Sequence, residues 1–191
     1  DPEHWRSPEK RTEAAERARR DIVAEGLLDP LKRHGTVNCD ALGPGGELAG
    51  ATSTSGLAWK IPGRVGDSPI VGHGFYAMGG AGAASASGIG EAIARYGLSL
   101  RAVLSMADGA GAQETATAVI GGLTRQFGTE TAGVILLDTK GRPGIFFNTR
   151  GMAVGFGGAG VRTRAGIVRI KKAENFSAVF LTRPHRKGGA R

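Results

Sequence analysis

From Thr36 onward, glycine cuts the chain into short apolar runs: Val37 to Leu42, the turn Gly43-Pro44-Gly45-Gly46, Leu48 to Thr54, then a long loop from Ser55 to Gly74. Runs of this length suit strands rather than packed helices, and the glycine-rich breaks suit tight reversals. The pattern predicts a hairpin with Thr36 at the start of its first strand and Thr54 at the end of its second. Glycine supplies 33 of the 191 residues, far above the usual ~7%. These glycines lack a collagen-like period and sit between apolar runs, so they mark turns and close backbone approach rather than disorder. Asp40 is the awkward residue, a carboxylate within a strand whose neighbours are apolar.

Ahead of the hairpin, Ser7-Pro8-Glu9 has the signature of a helix start, with an N-cap, a proline at the first helical position and an acid in the first turn. Ala14, Ala15, Ala18, Ile22 and Val23 form a narrow stripe at helical spacing, and Gly26 can end it. Leu27 to Arg33, with Asp29-Pro30, reads as an exposed connector. Beyond the loop, Ala81 to Ser87 is a strand of very small residues, which requires something packed close against it. Ile89 to Ala107 reads as one helix, weakened by Gly97, and Ala112 to Phe127 as a second. Ala132 to Leu137, Lys140-Gly141 and Ile145 to Phe147 form another hairpin. Strands, helices, then strands again predict a layered α/β sandwich.

The formal charge of +8 is unevenly spread. Residues 161–191 hold nine of the 25 Lys and Arg and, among the acids, only Glu174, which leaves sixteen of each sign before them. The body is neutral, and the basic tail is a solvated arm or a polyanion contact. Nucleic acid is therefore not expected as a partner of the domain. No apolar run approaches the ~18 residues of a membrane span, and the N-terminus is not signal-like, so a soluble, cytoplasmic protein without membrane contact is expected. Cys39 is the single cysteine, which excludes an intramolecular disulfide and a cysteine-built zinc site.

Thr36 follows Gly35 where a charged segment gives way to the first strand. A threonine hydroxyl is a poor nucleophile without a base, but an N-terminal threonine carries one, its α-amine, with a pKa near ~8. Such a residue has to be made by cleavage of the Gly35–Thr36 peptide, and glycine lowers the steric cost of a strained scissile bond. The plain alternative is a β-branched residue that merely begins a strand. Thr54 is placed to hydrogen-bond Thr36, or is an ordinary strand threonine. Arg64 and Asp67, three apart in a glycine-flanked loop, complement the carboxylate and ammonium of an amino acid, or pair with each other as a loop salt bridge. Gly155-Phe156-Gly157-Gly158-Ala159-Gly160 matches a dinucleotide-binding pattern, but the residues after it are basic and strand-like rather than helical. His4, His34, His73 and His185 are scattered, and His73 reads as a pocket-wall residue.

Taken together, His34-Gly35-Thr36-Val37, Thr54 in Ala51-Thr52-Ser53-Thr54-Ser55-Gly56, Arg64 and Asp67, and Ser87-Gly88 in Ser85-Ala86-Ser87-Gly88-Ile89-Gly90-Glu91 resemble the N-terminal-nucleophile amidohydrolases of the plant-type asparaginase, isoaspartyl peptidase and glycosylasparaginase superfamily. A looser likeness extends to Phe156, where Phe147-Asn148-Thr149-Arg150-Gly151-Met152 resembles the plant-type branch; Thr54 to Lys60 has some of the glycosylasparaginase flavour. The resemblance implies an α+β fold, a four-layer αββα sandwich of which this chain supplies mainly the β-subunit part. It divides the chain into residues 1–35, the end of an α-subunit with its linker, a catalytic β-subunit at 36–160, and the basic tail at 161–191. Members carry a much longer segment before the nucleophile, so most of the α-subunit is expected to be missing, together with the family's alkali-metal site.

The implied activity is hydrolysis of asparagine to aspartate and ammonia, or of β-aspartyl peptides, through a β-aspartyl-Thr36 ester, without cofactor or resident metal. Thr36 would be the nucleophile, Arg64 would bind the substrate α-carboxylate and Asp67 its ammonium. Ser87 and Gly88 would form the oxyanion hole, with Ser87 standing where the family usually has Thr. The implied partners are a small-molecule or dipeptide substrate and the chain's own cleaved α-subunit, paired again into a dimer of heterodimers. The alternatives are a glycosylasparaginase, or a non-catalytic fragment whose basic tail binds a polyanion.

Overall fold

The computed structural model describes residues 34–57, 60–158 and 161–169. The helix expected from Ser7 to Gly26, its connector and the end of the basic tail lie outside the described residues. The expected hairpin forms but extends past its predicted ends: β1 (His34–Leu42) starts two residues before Thr36 and pairs antiparallel with β2 (Leu48–Leu57), which continues past Thr54 into the expected loop. Thr36 stands opposite Thr54 and Asn38 opposite Thr52, with an irregularity in the register between His34 and Thr36. The turn is closed by the Gly46 N–H donating to the Gly43 carbonyl at 3.0 Å. Gly46 has φ +90, which favours glycine there.

A four-stranded antiparallel sheet comes next, in the order β3 (Phe75–Met78), β4 (Gly82–Gly88), β5 (Ala132–Asp138), β6 (Pro143–Phe147). Its strand β4 divides the molecule. Ala84 and Ala86 belong to an apolar core with Ile93, Leu98, Val103, Ile120, Leu123 and Val134, so one face is covered by helices. A Cβ added at Gly82 would strike the Met106 side chain, which is why this strand is so small. By alternation Ala83, Ser85 and Ser87 face the other way, and there Ser85 meets Asp40 of the hairpin.

The helical layer departs from expectation at one point. The single helix read from Ile89 to Ala107 is two: α1 (Gly90–Tyr96) and α2 (Leu98–Ala107). Gly97, at φ 66 and ψ 47, takes the left-handed conformation, and its N–H bonds to the Ile93 carbonyl at 2.9 Å. A left-handed residue ends a helix rather than bending it, so the glycine breaks what it was expected only to weaken. The second predicted helix stands unchanged as α3 (Ala112–Phe127). Its start lies on β6, where a Cβ at Gly144 would strike the Ala112 carbonyl. Gln113 spans the contact, donating to the Ile145 carbonyl at 2.9 Å and accepting the Ile145 N–H at 3.1 Å.

The chain ends, within the described residues, in a second hairpin, β7 (Gly151–Gly158) with β8 (Val161–Arg169). Met152 and Val154 of β7 pack with Phe147, Ile135 and Ile145. Residues 161–169, read as the start of a basic arm, are thus paired β-structure with Arg162 and Arg164 exposed. The Gly155–Gly158 part of the dinucleotide-like pattern lies in β7, and a strand rather than a helix comes after it. Helices, the central sheet and the two hairpins on its other side make an α+β fold.

Candidate active site

The two threonines of the hairpin meet. The Thr36 hydroxyl donates to Thr54 Oγ1 at 3.2 Å, and the Thr54 hydroxyl donates to the Gly35 carbonyl at 2.8 Å. Thr54 Oγ1 also accepts the Gly56 N–H at 2.9 Å, which fixes the rotor. A hydroxyl that accepts twice has only its own proton left to give, and it is aimed at the carbonyl preceding Thr36. Gly35 is exposed and Thr36 half-buried, so the peptide between them is open to solvent. A Cβ at Gly35 would meet nothing within 4 Å, and Gly35 is not among the positive-φ glycines.

Thr36 and Thr54 line a small, solvent-open cleft together with Arg64, Asp67, Gly88 and Gly90. Five of the seven predicted site residues, all but Gly35 and Ser87, thus line one hollow. Ser87 does not line it; it precedes Gly88 on β4, half-buried, on the sheet face turned to the hairpin. Neither does His73, expected in the pocket wall: its carbonyl instead accepts the Ser99 hydroxyl at 2.8 Å.

Arg64 and Asp67 do not form the loop salt bridge that was the plain alternative. The Arg64 Nε donates to Glu91 Oε1 at 2.7 Å. That contact raises the guanidinium's pKa and lowers that of Glu91. It occupies the Nε edge and leaves the two terminal nitrogens turned toward Gly56, Gly66 and Gly90, where any Cβ would crowd them. Asp67 is 6% exposed, and its Oδ2 has no hydrogen-bond partner among the described residues. Burial pushes its carboxyl above the ordinary range, against the lowering effect of nearby backbone N–H groups and Arg64. An unpartnered buried carboxylate oxygen at a cleft is costly unless a donor arrives.

Gly88 is built in tightly. A Cβ there would strike the Thr131 carbonyl, and φ is +154. The Thr131–Ala132 backbone is held in turn by Asn148, whose Oδ1 accepts both N–H groups at 2.9 Å. Asn148 Nδ2 donates to Thr124 Oγ1 at 2.8 Å and Thr131 Oγ1 at 2.7 Å. Glu91 and Asn148 are the neighbours of the cleft residues to which the sequence assigned no role. Both stand inside the motifs that carry the family resemblance, but their partners are far away in sequence, which spacing alone does not reveal.

The sequence pattern of the family described as Asparaginase matches residues 2–167. The chain belongs to the asparaginase family. It is 46% identical over 125 residues to a plant-type L-asparaginase of Pyrobaculum calidifontis, covering 65% of this chain and 42% of that protein. It is 40% identical over 148 residues to an isoaspartyl peptidase of Escherichia coli, covering 75% and 45%. A plant-type L-asparaginase of Thermococcus kodakarensis is 35% identical over 159 residues, covering 78% and 52%. The chain spans about half the length of these curated relatives. No helix among its described residues is long and apolar enough to cross a membrane.

Proposed function

We propose that the chain is an autoprocessed N-terminal-threonine amidohydrolase acting on L-asparagine, β-aspartyl peptides, or both. The observation that carries the reading is the hydrogen-bonded line from the Thr36 hydroxyl through Thr54 to the Gly35 carbonyl. In self-cleavage, Thr36 Oγ1 adds to the Gly35 carbonyl carbon. Its proton goes to Thr54 Oγ1 while the Thr54 proton meets the developing oxyanion. The C–N bond then breaks, the nitrogen of Thr36 takes up the proton, and a Gly35–Thr36 ester remains. Water opens it to a Gly35 carboxylate and a free Thr36 amine.

The freed amine then serves as the base. Thr36 Oγ1 attacks the substrate's side-chain amide carbon, the amine accepts the hydroxyl proton and passes it to the leaving nitrogen, and water hydrolyses the β-aspartyl ester. The Gly88 N–H and the Ser87 hydroxyl would receive the oxyanion. The two terminal nitrogens of Arg64 fit the α-carboxylate bidentately, and the Asp67 oxygen that is unpartnered among the described residues fits the α-ammonium. The full αββα sandwich, pairing with the cleaved N-terminal piece as a dimer of heterodimers, and a cytoplasmic setting belong to the same reading.

The test is aspartate release from asparagine and from a β-aspartyl dipeptide by the purified protein and by Thr36→Ala. Release that depends on Thr36 supports the reading. Equal release by both proteins, or binding of a free amino acid unaffected by Arg64→Ala, contradicts it.

A further inference from the structure

Two side-chain bonds join the nucleophile strand to the central sheet, and both involve residues the mechanism leaves unused. Asn38 Nδ2 donates to the Ala86 carbonyl at 2.9 Å, and the Ser85 hydroxyl donates to Asp40 Oδ1 at 2.6 Å. On β1 these anchors lie two and four residues after Thr36, on the same inward face. On β4 they immediately precede Ser87 and Gly88. The Ser85–Asp40 bond is short and part-buried, and the position of Thr36 relative to the oxyanion donors is set by where β1 rests on β4.

We propose that Asp40 and Ser85 form an interlayer clamp that positions Thr36 for self-cleavage and catalysis. The clamp rests on the reading of Thr36 as the nucleophile. Asp40 is a positioning residue: it touches neither the scissile bond nor the cleft. Its site is made to fit, because a Cβ at Gly50, its cross-strand partner, would lie 3.3 Å from Asp40 Oδ1 and 3.5 Å from the Phe75 ring.

The clamp also carries a pH dependence. Burial lifts the Asp40 carboxyl from 3.8 to about 6, with the Ser85 bond opposing the shift. Among the described residues the groups around it are uncharged: Asn38 and Thr52 on the hairpin, Ser85 on β4, Phe75 on β3, and Ile135 of β5 on the same sheet face. Asp40 Oδ2, Asn38 Oδ1 and Thr52 Oγ1 have no hydrogen-bond partner among the described residues. The docked hairpin holds the Asp40 proton more tightly than the undocked chain. Docking is therefore most favourable at low pH and loses this contribution as pH rises through about 6.

The experiment is hydrogen exchange and intact-mass spectrometry on the full chain and on Asp40→Ala, Ser85→Ala and Asp40→Asn. The two alanine variants should exchange the Thr36–Leu42 amides about tenfold faster while β5 amides stay protected. They should release Thr36 about 10- to 100-fold more slowly. Where substrate turns over, kcat falls and KM holds, because Arg64 and Asp67 stand on a different segment. Asp40→Asn keeps the acceptor, so it should restore wild-type protection at mildly acid pH and abolish the change across pH 6. Unchanged β1 protection in both alanine variants, or equal loss of protection in β5, overturns the clamp. A wild-type chain that never releases Thr36 contradicts the proposed function, while the exchange data still decide whether the clamp exists.

Discussion

On one face of β4, Ala84 and Ala86 pack into an apolar core with Ile93, Val103 and Ile120; on the other, Ser85 and Ser87 face a hairpin whose inner side carries Thr36, Asn38, Asp40, Thr52 and Thr54. The helical side is held by apolar burial, which is non-directional and tolerates exchange of one hydrocarbon for another of similar volume. The hairpin side is held by a few directional bonds and, among the described residues, leaves three buried oxygen atoms unpaired. One strand therefore serves as the floor of the core and as the base of the proposed reactive surface, with apolar packing on one side and the proposed chemistry on the other.

The sharpest way to break that division is to remove chemistry without touching the core. Thr36→Ala should lower self-cleavage and hydrolysis by about 10³-fold or more. Its melting temperature should stay close to wild type, since the side chain is only half-buried in an open cleft; differential scanning calorimetry beside a mass assay checks both halves. Gly88→Ala tests the strand where the two sides meet. With the Thr131 carbonyl in the way, it should cost about 10²-fold or more in rate and destabilise as well, read by kinetics and thermal unfolding.

Ile120→Ala attacks the other side. It should cost about 2–5 kcal/mol in denaturant unfolding, because Ile120 is fully buried. The folded fraction should keep its KM. Glu91→Gln is smaller still: it frees the Arg64 fork without removing it, so KM should rise about tenfold or less with stability unchanged. The mildest effect is on pH. Asp67 must be ionised to hold an ammonium, and burial has raised its pKa. KM should therefore climb on acidification at a pH where an exposed aspartate would still be fully charged, and steady-state kinetics across mildly acid pH reads it.

The hairpin and the Thr36–Thr54 pairing were legible because turn glycines and strand length fix register locally. The cleft residues were legible through a resemblance, since nothing in the Arg64–Asp67 spacing says that Arg64 turns to Glu91. That choice is made by α1, which begins at Gly90 and presents Glu91 in its first turn. Asp40 looked like an error in an apolar strand because its partner Ser85 lies 45 residues away on another layer. The break at Gly97 was underestimated for a simple reason: a glycine inside an apolar helical pattern is weak evidence until its φ is known. β7 was missed as a strand because its glycines at 151, 155, 157 and 158 dilute the alternation that packs Met152 and Val154.

Self-cleavage of the Gly35–Thr36 peptide, on which the whole functional reading turns, is tested most directly by intact-mass spectrometry of the purified chain over time. Two species that sum to the 19.6 kDa precursor plus one water are expected, with a new N-terminus at Thr36, and none from Thr36→Ala. A single uncleaved species after long incubation, or a cut at any other bond, would contradict it.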